Sequence, residues 1–252
     1  MFGKLGSTQR IELAKAKMEK VLDHFLYLLE LHANNAFVVY SPILSSQIPA
    51  SYAANAFNVF QRSMHQFEIV RLCALWDGSD PEKENIPTVI ELIDEDAIID
   101  MLAEETRQHW VNSYVTLLNP SEDPQLAAAE QEAVKSNQIQ FGDEQASRAK
   151  SDLKQAIAAA RTILGSSQLD SVMNLRDKHL AHSLTTTRRE TRGPVSPMKY
   201  GDETALIDLS CPIIEHIFCW VNGKSFSIEN SRRIDDENAK ALWHGCKFEN
   251  IR

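Results

Sequence analysis

The chain has 252 residues, which is enough for one large helical domain or for one domain with appendages. Its composition, with 43% apolar and 24% charged residues, is that of a globular protein, and nine Gly and nine Pro are too few for an all-β fold. A net charge of −9 disfavours non-specific DNA binding by the whole surface, although it leaves room for a local basic site.

Apolar residues recur at helical spacing along the chain, and no segment shows the sustained alternation of a strand. The sequence therefore predicts an all-α fold, an antiparallel helical bundle. The predicted helices cover residues 9–34, a stretch with Pro49 in its first turn that ends at Leu75, 89–93, 97–118, 123–164 as one helix or two broken near 141–143, 168–184, 203–222 and 235–243. Ser45 and Ser46 are the N-cap candidates of the second helix. We expect residues 1–222 to form one domain and residues 223–252 to form a C-terminal tail with a short helix.

A loop of seventeen residues, 185–201, follows the helix predicted at 168–184. Loops of this length without regular structure are usually functional or disordered. Three basic residues, Arg188, Arg189 and Arg192, place positive charge just beyond that helix. We therefore expect them to contact an anionic ligand.

Basic and acidic residues are distributed unevenly. Residues 77–105 contain eleven acids and one base, whereas residues 148–192 contain nine bases and four acids. The simpler interpretation is two solvated surfaces. The alternative is a basic patch around residues 168–184, which would suit a phosphodiester substrate or a nucleotide.

The four cysteines, Cys73, Cys211, Cys219 and Cys246, make no CxxC pair and no disulfide framework. The first ten residues lack a signal peptide, and no run of about 18 uninterrupted apolar residues predicts a membrane span. We therefore expect a cytoplasmic protein.

The pairs His216-x-x-Cys219 and His244-x-Cys246 contain zinc-ligand residue types, but their spacing matches no standard finger. We expect no metal and no cofactor.

The stretch from Leu175 to Ser183, LRDKHLAHS, carries the residues with the clearest chemistry. On a straight helix, Arg176 lies in the middle of an apolar face formed by Leu169, Val172, Met173, Leu180 and Leu184. A guanidinium keeps its proton and is rarely buried without a partner. Arg176 therefore indicates either a cleft or partner interface, or a pairing with a buried carboxylate. His179 and His182 add groups that titrate near neutrality.

Arg176, a polar residue at 177 and His182 after five intervening residues resemble the Arg-polar-x(3–5)-His signature of the HEPN superfamily. The fuller string resembles its abortive-infection, AbiU-like branch. The resemblance is strongest over residues 165–222, is looser over 45–118, and does not cover the tail. It implies an all-α bundle of HEPN type with extra helices and a long loop after the motif, in a bacterial, metal-independent ribonuclease of a toxin–antitoxin or abortive-infection system.

The resemblance also implies roles for individual residues. Arg176, Asp177 and His182 would be catalytic, with His179 and Lys178 as secondary candidates and the three loop arginines as RNA-binding residues. A straight helix places His179 closer to Arg176 than His182, so geometry leaves both histidines open, and the family spacing favours His182. The implied partners are RNA, a second copy of the chain in a homodimer, and an antitoxin or nucleotidyltransferase-like protein.

Two other interpretations remain. The same cleft could belong to a non-catalytic helical module that binds a nucleotide or a protein. Arg176 could also be a structurally paired residue in a plain helical scaffold.

Overall fold

The computed structural model describes residues 2–48, 50–113, 115 and 121–248. Throughout these residues the regular structure is helical and no strand is present, which confirms the predicted all-α bundle. The α-helices are α1 (Ser7–Val38), α2 (Pro42–Ser45), α3 (Tyr52–Trp76), α4 (Ile86–Ile93), α5 (Asp96–Val111), α6 (Pro124–Leu164), α7 (Ser167–Leu175), α8 (Asp202–Asn222) and α9 (Ile228–Gly245). One π-helical turn, Arg176–Leu180, follows α7 directly.

Helix α1 lies at the centre of the bundle and packs against α3, α4, α8 and α9. Its apolar residues recur every three or four positions and bury Met18, Phe25 and Leu28. Lys17 is also buried on this helix, and its ammonium donates to the carbonyls of Pro81 (2.7 Å) and Lys83 (2.8 Å). These bonds compensate its charge and fix the α3–α4 connection against α1.

Helix α3 begins later than the sequence predicted. Neither Ser45 nor Ser46 caps it, since Ser51 accepts from the backbone N–H of Ala54 at 3.3 Å. The expected position of Pro49 lies outside the described residues. Its first four turns are mostly exposed and its last two are buried, so α3 enters the core only towards Trp76, whose indole N–H donates to Ser210 Oγ at 2.9 Å.

Helix α4 begins three residues earlier than predicted because Asn85 caps it, accepting from the N–H of Thr88 at 3.0 Å. Helix α5 ends at Val111 instead of Leu118, and residues 114 and 116–118 of the predicted helix lie outside the described residues.

Helix α6 is a single helix of 41 residues, so the break considered near 141–143 is absent. Glycine stands at 142 because α5 crosses there: a Cβ on Gly142 would lie 3.0 Å from Val111 Cγ2 and 3.1 Å from the carbonyl oxygen of Arg107. The two helices are antiparallel, as shown by the ion pairs Lys154–Asp96 (2.8 Å), Lys150–Asp100 (2.8 Å) and Arg107–Asp143 (2.5 Å).

Helix α8 matches its predicted bounds within one residue and packs against α1 and α6. Among the described helices, it alone is long and apolar enough to span a membrane by length and composition, and a buried core helix passes the same test. Ile214, Ile217 and Phe218 are buried in the core.

Helix α9 is longer than the helix predicted at 235–243. It starts after Ser227, which caps the N–H of Asn230, and it packs along α1, where the Trp243 indole N–H donates to Asn34 Oδ1 at 2.8 Å. The division of the chain at Asn222 stays a prediction.

A polar network is buried where α1, α3 and α8 meet. Glu68 and Glu203 are fully buried, and the Tyr40 hydroxyl lies 3.2 Å from Glu68 Oε2 and 2.8 Å from Glu203 Oε1. His32 Nδ1 lies 2.5 Å from Glu68 Oε1, and His65 Nε2 lies 3.5 Å from Glu203 Oε1. The interaction with Glu203 raises the pKa of His65. Burial acts to raise the pKa of Glu203, but His65 and Tyr40 outweigh it and the pKa is lowered.

Candidate functional site

The helix that leads into the motif, α7, changes its winding at Arg176, where the π-helical turn begins. Ser166 caps α7 by accepting from the N–H of Leu169, and the helix is regular to Leu175. From Arg176 the turn widens, and the N–H of Ala181 donates to the carbonyl of Arg176 at 2.8 Å, a spacing of five residues. Single π-helical turns are rare in proteins, and those that do occur are often found at functional sites.

The predicted helix to Leu184 is therefore wrong, because the helix ends at Leu180. The physical reason is local, since the N–H of Leu184 turns back to the carbonyl of Lys178 at 3.0 Å and closes a non-helical loop. His182 lies inside this loop and not on a helix face.

Arg176 is half-buried and paired with two carboxylates. Its Nε and Nη2 lie 2.9 and 2.7 Å from Asp177 Oδ1, and Nη2 lies 3.7 Å from Asp77 Oδ1. Burial acts to lower the pKa of Arg176, but the carboxylates, together with the nearby Cys73 thiol, outweigh it and the pKa is raised. Of the two alternatives left open for Arg176, the structure shows carboxylate pairing, although both carboxylates are partly exposed and not buried.

Sequence reasoning missed Asp77, which entered it only as one of the eleven acids in residues 77–105. It follows the last residue of α3, and the contact between α3 and the π-turn brings it to the motif. Burial acts to raise the pKa of Asp77, while Lys83 and Arg176 lower it, with a net lowering. An acid at a helix end beside a buried tryptophan was the available signal, but no spacing rule links it to residue 176.

Of the three loop arginines, Arg189 is the one that lies close to Asp177. Arg189 donates to Asp170 at 2.5 Å, and its Nε lies 3.8 Å from Asp177 Oδ2. Asp177 thus lies between two guanidinium groups. The side chains of Arg188 and Arg192 are exposed and make no hydrogen bond or ion pair with the described residues. Of the three predicted RNA-binding arginines, Arg189 is therefore paired with carboxylates, whereas the side chains of Arg188 and Arg192 are unpaired within the described residues.

The loop after the motif is held to α7 and the π-turn by a clasp formed by Asn174, Lys178, Thr187 and Glu190, of which Asn174 and Thr187 are buried. Thr187 is only 1% exposed, and its hydroxyl donates to Asn174 Oδ1 and accepts from the N–H of Glu190. Glu190 accepts from Lys178 (2.7 Å), from the N–H of Thr187 (2.9 Å) and from Asn174 (3.2 Å). These bonds, that of Lys178 first, lower the pKa of Glu190 to about 2. The start of the loop is therefore ordered in the structure.

Both candidate histidines are exposed. His179 lies on the π-turn and borders a small cavity, while His182 follows the end of the turn by two residues. Neither side chain hydrogen-bonds to a described residue. Both imidazoles are therefore available to a ligand.

Across the described ranges, no group of three or more His, Cys, Asp or Glu residues is placed to hold a metal ion. His216 and Cys219 lie on α8, whereas the His244 ring packs edge-on against Phe37 at 5.3 Å.

The fold and the motif define an all-helical protein in which a paired arginine, an acid and one exposed histidine lie on one π-helical turn, and a second exposed histidine follows two residues later. The family model AbiU2, a family of HEPN domains, matches residues 14–242. The chain therefore belongs to the AbiU2 family of the HEPN superfamily. The match extends into α9 as far as residue 242, so the expectation that the resemblance does not cover the tail is wrong for residues 223–242. Neither a curated protein nor a solved structure matches the chain.

Proposed function

We propose that the protein is a metal-independent endoribonuclease of an abortive-infection or toxin–antitoxin system. The observation that carries the proposal is the arrangement of side chains at the π-helical turn Arg176–Leu180, called the motif turn below. Arg176 is held there by Asp77 and Asp177, and the exposed His182 follows the end of the turn by two residues in the chain. Family membership supports the class of system.

The proposed reaction is transfer to the ribose 2′-oxygen. A base removes the 2′-OH proton, the oxygen attacks the adjacent phosphorus, and the bond from phosphorus to the 5′-oxygen breaks. An acid protonates the leaving 5′-oxygen, so the products carry a 2′,3′-cyclic phosphate and a 5′-OH. His182 serves as acid or base because an imidazole titrates near neutrality.

Arg176 would stabilise the charge that develops on the phosphoryl oxygens. A phosphate must first compete with the carboxylates that hold the guanidinium. The separation between Arg176 and Asp77, at 3.7 Å, is the longer of the two pairings, so Asp77 is the partner that yields first. Asp177 then keeps the guanidinium oriented through its bonds to Nε and Nη2.

Further parts of the proposal concern partners and location. A homodimer that joins two motif turns would supply both an acid and a base histidine. Arg188 and Arg192 would contact the RNA backbone, an antitoxin or nucleotidyltransferase-like protein would restrain the activity, and the protein would act in the cytoplasm.

One observation favours a second candidate, a non-catalytic module that binds a nucleotide or a protein. Both carboxylates on Arg176 already compensate its charge, as in a structural ion pair. Such a module would bind its ligand without consuming it.

Expression toxicity separates the two candidates. The wild type, His182→Ala and a matched control, His109→Ala on the exposed surface of α5, are expressed at equal levels. We expect growth arrest with the wild type and the control, and normal growth with His182→Ala. Equal growth of all three strains, or equal arrest, would contradict the proposed nuclease.

A further inference from the structure

A cavity of about 230 Å³ lies between the motif turn and the later part of the loop. It is smaller than the roughly 300 Å³ at which pockets for drug-sized ligands begin, so it suits one flat ring and not a whole nucleotide. Lys178 and His179 line it, and both belong to the π-turn that starts at Arg176. A ligand in the cavity would therefore be adjacent to the proposed phosphate site.

Four of the nine residues that line the cavity are apolar. Leu175 lies on one side, and Val195, Pro197 and Met198 come from the loop. Leu175 and Met198 also pack against the hydrophobic core, which fixes their positions. Single-stranded RNA is usually recognised by bases that leave the stack and insert against such surfaces.

Two of the polar side chains that line the cavity, Lys178 and Asn174, have N–H donors to spare. Lys178 has three N–H donors and gives one to Glu190, and the Asn174 amide gives one of its two to the same carboxylate. Glu190 already accepts three hydrogen bonds. A ring that presents acceptors therefore fits better than one that presents an amino group.

We propose that this cavity binds one keto base, guanine or uracil, of the RNA substrate. Guanine presents O6 and N7 to a lysine, and uracil presents carbonyl oxygens, whereas adenine and cytosine present an amino group at the corresponding edge. The proposal rests on the proposed function, because RNA supplies the base. It adds a specificity determinant that the motif itself does not contain.

The test uses four oligocytidine RNAs that differ only in one central nucleotide, G, U, A or C. Binding is measured by fluorescence anisotropy in the His182→Ala background, which would leave the RNA intact. We expect the G and U strands to bind about tenfold more tightly than the A and C strands. Lys178→Met should abolish this preference by removing the donors.

Because Lys178→Met also removes a bond of the clasp, Val195→Phe serves as a second variant that fills the cavity and leaves the clasp intact. Lys199→Met, an exposed position outside the cavity, is the matched control and should keep the preference. Equal affinity for all four strands, or a preference that survives in Val195→Phe, would overturn the proposal.

The same strands incubated with the wild type separate this proposal from the nuclease. Cleavage of all four at equal rates, with equal affinities, would remove the base site and leave the nuclease. A keto preference in binding without any cleavage would support the base site and remove the nuclease.

Discussion

Thr187→Val tests whether the clasp of Asn174, Lys178, Thr187 and Glu190 holds the loop against α7 and the π-turn. Valine has nearly the shape of threonine but lacks the hydroxyl, so the side chain still fills its site. The change removes the donation to Asn174 Oδ1 and the acceptance from the N–H of Glu190. It leaves Asn174, itself 8% exposed, with an unpaired oxygen in a buried position.

Two hydrogen bonds at about 1 kcal/mol each, with part of the penalty for an unsatisfied buried acceptor, give an expected loss of about 2–3 kcal/mol. Urea unfolding should show this loss in the free energy of unfolding with an unchanged slope. Amide exchange should also accelerate at Thr187 and Glu190, because their N–H groups are bonded within the clasp.

The matched control is Thr186→Val, the preceding residue, which is exposed. It should change the free energy of unfolding by less than about 0.5 kcal/mol. Equal losses in the two variants, or unchanged exchange at Thr187 and Glu190 in Thr187→Val, would refute the clasp.

Three further predictions concern the buried network, the α5–α6 crossing and a thiol. The wild type should lose stability relative to Glu203→Gln as pH rises above about 6.5. The reason is that the pairing of protonated His65 with Glu203 raises the pKa of His65 in the folded protein. The stabilisation that this pairing gives is complete below the pKa of His65 in the unfolded chain, and it is lost as pH rises through the raised pKa of the folded protein. Gly142→Leu should cost about 1–3 kcal/mol in urea unfolding, because α5 leaves no space there. Cys73 should resist thiol reagents in the native protein, since burial raises its pKa to about 12.

Each of these has a control. A stability difference between the wild type and Glu203→Gln that is constant from pH 5 to 9 would contradict the His65 pairing. Ser147→Leu, exposed on the same helix as Gly142, should be nearly neutral, and equal effects would refute the close crossing. In a background in which Cys211, Cys219 and Cys246 are replaced by Ser, labelling of Cys73 before unfolding would show that it is not buried.

The helices were predictable because apolar residues at helical spacing need a core to cover them, whatever the partner helices are. Their ends were less predictable, because they depend on which side chain reaches a free backbone N–H. Asn85 and Ser51 do so, whereas the candidate caps Ser45 and Ser46 do not. Gly142 was considered a possible break in α6, but the helix continues through it. The glycine is there because α5 packs so closely that a side chain would not fit.

For the site, the sequence located Arg176 and predicted that it needs either a partner surface or a carboxylate. It did not identify Asp77, which is 99 positions away and reaches the motif only through tertiary packing. The π-turn likewise depends on the backbone bond between Ala181 and Arg176, which has no residue-type signature. The roles of Asp177, His179 and His182 stay predictions, as does the homodimer.

The central claim is that His182 takes part in RNA cleavage that needs no metal. Purified wild type and His182→Ala are incubated with total tRNA, with and without EDTA, and the new ends are analysed. We expect the wild type to leave 2′,3′-cyclic phosphate ends at the same rate with and without EDTA, and His182→Ala to be slower by about 10²–10⁴-fold. Equal activity of the two proteins, or activity that EDTA abolishes, would contradict the account.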